Sequence, residues 1–166
     1  MKIYLIGMPG SGKTTLGRQL AEELLLLFVD LDKEIEKHEG KSISQIFAEQ
    51  GEDYFRQVES RLLTEWASST RGFVMATGGG APCFYNGMDT IVKTGFSIFL
   101  DVPVAELLAR LDRKTDRPLL HAADADERRE KITTLSHIRQ PIYARANVTL
   151  HHADLPALLK AVHLKN

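Results

Sequence analysis

Internal disulfides are excluded at once, because the 166 residues include one cysteine, Cys83. Met1 runs directly into Lys2-Ile3-Tyr4-Leu5-Ile6 without the pattern of a secretory leader, so a reducing cytoplasm is the expected compartment. Long apolar runs are lacking too. The longest, Leu24 to Val29, falls far short of the roughly 20 residues that cross a bilayer, so no membrane span is expected. Charge of one sign is also scarce: 21 Lys and Arg against 22 Asp and Glu leave a formal net charge of -1. No global positive field exists to attract nucleic acid or an anionic membrane, and any anion recognition must be local. No repeat or low-complexity tract interrupts the chain. With 43% hydrophobic and 26% charged residues it suits one compact domain over residues 1–166. A monomer is expected.

What is present is an alternation of periods. Ile3 to Ile6 is a short apolar, β-branched run closed by Gly7 and Pro9, the pattern of a strand buried on both faces. From Lys13 the period lengthens, with Leu16, Leu20, Leu24 and Leu27 spaced as on one face of a helix. Further strands are predicted at residues 27–30, 73–76, 97–100 and 148–150. Helices are predicted over 42–50, 52–68, 104–111, 127–144 and 155–164. Strands alternating with helices predict a parallel sheet with helices packed on it, an α/β domain. Residues 112–126 form the longest polar, strand-free stretch and are expected at the surface as a mobile lid.

The strongest signal lies between the first strand and helix. Gly7-Met8-Pro9-Gly10-Ser11-Gly12-Lys13-Thr14 fits GxxxxGK[ST] in the strand-loop-helix context that pattern requires. Glycines let backbone N–H groups turn inward around phosphate oxygens, and the helix N-terminus adds partial positive charge. Lys13 would reach the β and γ phosphates, and the Thr14 hydroxyl suits Mg²⁺, a cation that prefers hard oxygen ligands. The loop thus implies nucleotide binding, which alone does not establish phosphoryl transfer.

The remaining candidates are weaker singly. Asp30-Leu31-Asp32 follows the second strand, where two carboxylates would share one face above the sheet. Asp32 is the candidate to orient an acceptor hydroxyl, although either aspartate is equally suited to cap the next helix. Thr77-Gly78-Gly79-Gly80 would let backbone approach a small ligand, or else form a flexible turn. Arg56 and Glu59 stand three apart on one helix face, where the carboxylate can hold the guanidinium for a substrate carboxylate, or the two can make a surface pair. Arg139 is expected off a buried stripe of Ile132, Leu135, Ile138 and Ile142, which leaves a solvated face as its other reading.

As an ordered set, GMPGSGKTT, VDLD, FRQVE, ATGGG, DRPLL and RQPIY resemble shikimate kinase over nearly the whole chain. The resemblance implies a three-layer α/β/α P-loop fold with a five-stranded parallel sheet in the order 2-3-1-4-5, and a substrate-binding helical segment at about 31–60. It implies ATP-dependent phosphorylation of the shikimate 3-hydroxyl, in the route to chorismate and aromatic amino acids. Residue by residue, it implies that Gly10, Ser11, Gly12, Lys13, Thr14 and Thr15 hold ATP. Asp32, Arg56, Gly78, Gly79, Gly80 and Arg139 hold shikimate, the two arginines on its carboxylate. Asp30 supports Mg²⁺ through water beside Thr14, Arg117 closes over the phosphates, and Arg110 lies beside the adenine. Lys13, Asp32 and Arg117 are then the catalytic set, and a segment near Asp154, Leu155 and Pro156 makes a second adenine contact.

Other features carry less. His151-His152 has no third metal ligand nearby in sequence and reads as surface, and Arg128-Arg129 sits among acidic residues. A P-loop kinase of gluconate or nucleoside monophosphates shares the cradle but not the acidic, arginine and triple-glycine elements. A GTPase-like switch would carry an NKxD motif, which the sequence lacks.

Overall fold

A computed structural model describes residues 1–111 and 124–165. Its centre is β1 (Lys2–Ile6), four of whose five residues are buried because neighbouring strands and helices cover both faces. β3 (Phe73–Ala76) and β4 (Phe96–Leu100) flank it in parallel, with Tyr4 opposite Met75 on one side and Ser97 on the other. The edge strands are β2 (Leu27–Asp30), beside β3, and β5 (Val148–Leu150), beside β4. The resulting order is β2-β3-β1-β4-β5, as the resemblance implied.

Alternation along β1 separates two cores. Ile3 and Leu5 face α1 (Lys13–Glu23) and α7 (Leu155–Lys165), meeting Leu20, Leu158 and Val162. Tyr4 and Ile6 face the opposite layer: α2 (Leu31–Glu39), α3 (Ile43–Ser68), α4 (Gly87–Thr94), α5 (Val104–Leu111) and α6 (Ala125–Tyr143). The three layers are therefore set by the period-2 pattern of a strand buried on both sides. Among the described residues no helix is long and apolar enough to cross a membrane.

Local chemistry fixes the boundaries. α3 begins at a capping box, with the Ser42 hydroxyl accepting from the Gln45 amide at 3.2 Å and Gln45 Oε1 accepting from the Ser42 amide at 2.9 Å. It is broken at Gly51, whose φ of 84° and ψ of 172° leave helical geometry at the gap between the two segments the sequence predicts. α6 starts at Ala125, where the Asp124 side chain accepts from the Glu127 amide at 2.7 Å. Residues 124–126, read from sequence as lid, thus cap and open a helix. Arg117 and the remainder of that segment lie outside the described residues.

Two expectations are corrected and one helix is added. The leucine stripe stops early, because α1 ends at Glu23, Leu25 adopts φ 53° and is exposed, and Leu27 already belongs to β2. The buried face of α6 is Ile132, Arg139 and Tyr143, with Ile138 60% exposed. Seven and eleven residues are near-integral numbers of helical turns, so Arg139 lies on the core line rather than a solvated face. α4 was not predicted: it is eight residues long and enters through Asn86 at φ 58°.

Candidate active site

The loop after β1 is shaped by glycine. Gly10 and Gly12 have φ of 82° and 95°, the left-handed region where a side chain is strained. Lys13, first in α1, is buried, and its Nζ donates to the carbonyls of Gly7 at 2.9 Å and Met8 at 2.8 Å and to Ser11 Oγ at 3.3 Å. The ammonium is thereby fixed inside the loop. Next to it, Thr14 Oγ1 donates to Asp30 Oδ2 at 3.3 Å. These groups border a cavity of about 570 Å³ whose walls include Gly10 to Leu16, Asp30, Asp32, Thr77 and Arg110. Arg110 Nη1 donates to the Gly10 carbonyl at 3.0 Å, and its Nη2 pairs with Glu106 at 2.5 Å. All six residues read from Gly10 to Thr15 share this wall.

The two aspartates are positioned differently from the sequence reading. Asp30 ends β2 and caps α2, its Oδ1 accepting from the Lys33 amide at 3.3 Å while Oδ2 faces Thr14. Asp32 stands in the first turn of α2, not on an extended segment. Both still border the cavity, because the strand-to-helix junction turns over the loop. The capping role falls to Asp30 alone. The Thr14 hydroxyl and Asp30 carboxylate on one wall form the hard-oxygen pair that fits Mg²⁺ with water completing its shell.

Beyond Asp32, charged side chains converge on the triple glycine after β3. A Cβ on Gly78 would meet Glu59 Oε2 at 2.8 Å and Asp32 Oδ1 at 2.9 Å. One on Gly79 would meet Arg139 Nη1 at 3.1 Å, and one on Gly80 would overlap the Arg56 guanidinium, with Cζ at 2.5 Å. At all three positions charged groups stand close to where a side chain would begin, with Pro9 Cδ also at 2.9 Å above Gly79. The segment is pinned by the Thr77 hydroxyl, which donates to the Leu5 carbonyl at 3.1 Å, and by the Tyr143 hydroxyl, which donates to the Gly79 carbonyl at 2.5 Å.

Arg56 and Arg139 are 4% and 5% exposed, burial that guanidinium groups tolerate only with partners. Arg56 Nη1 donates to Glu59 Oε1 at 2.9 Å, its Nε to Glu52 at 3.4 Å, and its Cζ lies 4.3 Å from the centre of the Phe84 ring. A bland surface pair is excluded for Arg56 and Glu59. Burial pushes the Glu59 carboxyl up to about 7 against the opposing pull of Arg56. Burial likewise raises the Cys83 thiol to about 11 and holds the Tyr143 hydroxyl far above its ordinary value.

Phe84 carries no signal in the sequence, and Tyr143 enters there only as the last residue of RQPIY. His151 and His152 do stand at the surface, on the rim of the cavity with Ala153 and Asp154. His151 Nδ1 lies 3.0 Å from Asp101 Oδ2, and among the described residues no group of three His, Cys, Asp or Glu gathers for a metal. Of the expected second adenine segment, Asp154 reaches the cavity wall, while Leu155 and Pro156 open α7.

With this geometry in place, the chain can be set beside known proteins. The family model described as shikimate kinase matches residues 9–162. A shikimate kinase of Parabacteroides distasonis is 41% identical over 149 residues, covering 89% of this chain and 86% of that protein. One from Persephonella marina is 41% identical over 148 residues, covering 89% and 87%. The structure of an Acinetobacter baumannii shikimate kinase in complex with shikimate superposes with a TM-score of 0.90 at 36% identity, over 99% of this chain and 92% of that one. A glycine-shaped loop, an acid-lined junction and two buried arginines on a triple glycine thus occur in a chain that one family model matches over residues 9–162, and the chain belongs to the shikimate kinase family.

Proposed function

We infer that the cavity and the triple-glycine cluster are the donor and acceptor halves of one site for the family's reaction, the ATP-dependent phosphorylation of shikimate. That reaction is the activity of this chain. Gly10, Ser11, Gly12, Thr14 and Thr15 hold the ATP phosphates, Lys13 stabilises the charge that develops on the transferring group, and Arg110 borders the nucleotide. Thr14 and, through water, Asp30 would hold Mg²⁺, which supplies charge neutralisation on the phosphates when bound. Asp32 orients the acceptor 3-hydroxyl and receives its proton as the oxygen attacks the γ-phosphorus in line, the bond to the β–γ bridging oxygen breaks and ADP leaves. Arg56 and Arg139 bind the shikimate carboxylate, and the backbone of Gly78, Gly79 and Gly80 approaches the ring without side chains between. Arg117 is assigned to the phosphates on the family resemblance alone.

The observation that carries this reading is the burial of two arginines against a side-chain-free segment beside Asp32 and the cavity. Two fixed guanidinium groups match one planar carboxylate, and a hydroxylated acid held there presents its far side to the cradle. Arg56→Ala and Arg139→Ala are expected to raise the shikimate KM at least tenfold and to leave the ATP KM within about twofold. Unchanged shikimate KM in both would overturn the carboxylate assignment. The reading extends to a cytoplasmic monomer, in keeping with one partly buried free cysteine, and sedimentation of the purified protein tests the oligomeric part.

A further inference from the structure

Glu59 carries a feature that phosphoryl transfer leaves unused. Its Oε1 accepts from Arg56 at 2.9 Å, whereas Oε2 is buried with no hydrogen-bond partner. An ionised oxygen in that position is expensive, since no protein donor reaches it. The groups around it come from four elements. α3 supplies Arg56, with Glu52 behind it, and α2 supplies Asp32, whose Oδ1 and Glu59 Oε2 both lie within 3 Å of one point above Gly78. α6 supplies Arg139, and the short helix Ala81–Cys83 supplies Cys83, a neutral thiol. Two positive and two negative side chains therefore converge there before any substrate enters, Arg56, Glu59 and Arg139 buried and Asp32 half-buried at the cavity wall.

An anionic acceptor adds a third negative charge. Like charges within several ångströms in a poorly hydrated site repel strongly, and a proton on one carboxylate removes the repulsion. Oε2 is the oxygen that can take that proton at no structural expense, because the hydrogen bond that fixes Arg56 runs through Oε1. We propose that Glu59 is the proton-linked residue of the acid-binding subsite: entry of the shikimate carboxylate beside Arg56 and Arg139 is accompanied by uptake of a proton from solvent onto Glu59 Oε2. The one bond formed is that O–H bond, its proton supplied by solvent. The inference rests on the assignment of the two arginines to the substrate carboxylate. Because burial sets the Glu59 carboxyl at about 7, its charge is divided near neutral pH and free to respond. Shikimate, whose own carboxyl stays ionised, then binds more tightly as pH falls from 8 to 6, by roughly tenfold.

Calorimetric titration of the full chain with shikimate at pH 7, in two buffers of different ionisation enthalpy, reads the proton directly. Uptake of roughly 0.3–0.5 proton per shikimate is expected, and Glu59→Gln, which keeps the shape and removes the titration, is expected to show none. No exchange or a release by the wild type, or undiminished uptake by the variant, would overturn the proposal. Should Glu59→Gln fail to fold, ¹³C-carboxyl spectra of the glutamate-labelled wild type decide the matter. One glutamate signal moves to its protonated position on shikimate addition, and signals that all stay put contradict the proposal. Wild-type shikimate affinity in Arg56→Ala and Arg139→Ala would instead sink the carboxylate assignment, and with it this inference. Weakened binding in those variants without proton exchange in the wild type removes the proton linkage alone.

Discussion

Gly80→Ala tests the acceptor half of the site with a single methyl group. Gly80 has φ −87° and ψ −15°, a conformation alanine adopts readily, so the substitution strains no backbone. Its effect is steric: the new Cβ would overlap Arg56 Nη1, with Cζ at 2.5 Å and Nη2 at 2.7 Å. Arg56 is also held from behind by Glu59 at 2.9 Å and by the Phe84 ring, so the guanidinium cannot yield without leaving its position. A charge-assisted hydrogen bond contributes about 1.5–3 kcal/mol, so losing that arginine from the substrate carboxylate raises the shikimate KM roughly 10- to 100-fold. The ATP KM stays near wild type, because the cradle lies on the other side of Asp32. Steady-state kinetics with each substrate varied in turn gives both values, and thermal melting confirms the fold. Gly40→Ala is a control that strains its left-handed backbone but meets nothing within 4 Å, and it leaves the shikimate KM unchanged. A wild-type shikimate KM in a folded Gly80→Ala protein would refute the view that Arg56 must rest on this backbone.

Two further predictions follow from the same residues. Asp32→Asn keeps the shape of the acceptor-orienting group but removes its basicity, so kcat falls by roughly 10²–10⁴ while ATP binding, followed by nucleotide fluorescence, is nearly intact; wild-type turnover would remove Asp32 from the mechanism. Glu59 sits at about 7 in the fold against an ordinary 4.5, so the fold holds its proton more tightly than the unfolded chain does. Its contribution is therefore fully present below pH 4.5 and lost as pH rises through 7, a change of roughly 3 kcal/mol in the stability of wild type relative to Glu59→Gln. Denaturant titrations of both proteins at pH 4.5 and 8 measure that difference, and a relative stability that holds constant or grows with pH would contradict the burial argument.

Strands β1 to β5 were legible because each is a short apolar run ended by a glycine, a proline or a polar residue, and the cradle was legible because its spacing is imposed by phosphate geometry. The placement of Arg139 was not. The run Ile132, Leu135, Ile138 and Ile142 suggests a stripe that leaves Arg139 out, and only the fold shows that α6 turns Arg139, not Ile138, toward the triple glycine. The division of labour at Asp30 and Asp32 was similarly hidden, since either residue can cap a helix and the starting point of α2 decides which one does. Tyr143 and Phe84 acquire their roles through contacts 64 and 28 residues away in sequence, to Gly79 and Arg56, and no local pattern announces these. Glu59 was legible as a partner for Arg56, but its unpaired oxygen and shifted titration come only from burial among four elements.

The central claim, that an ATP cradle and a shikimate pocket form one transferring site, is met most directly by ADP release at fixed ATP and magnesium with shikimate, gluconate, AMP or no acceptor added. ADP is expected to accumulate rapidly with shikimate and at a low, common background rate in the other three. Release that is indifferent to shikimate, or fastest with gluconate or AMP, would contradict the account.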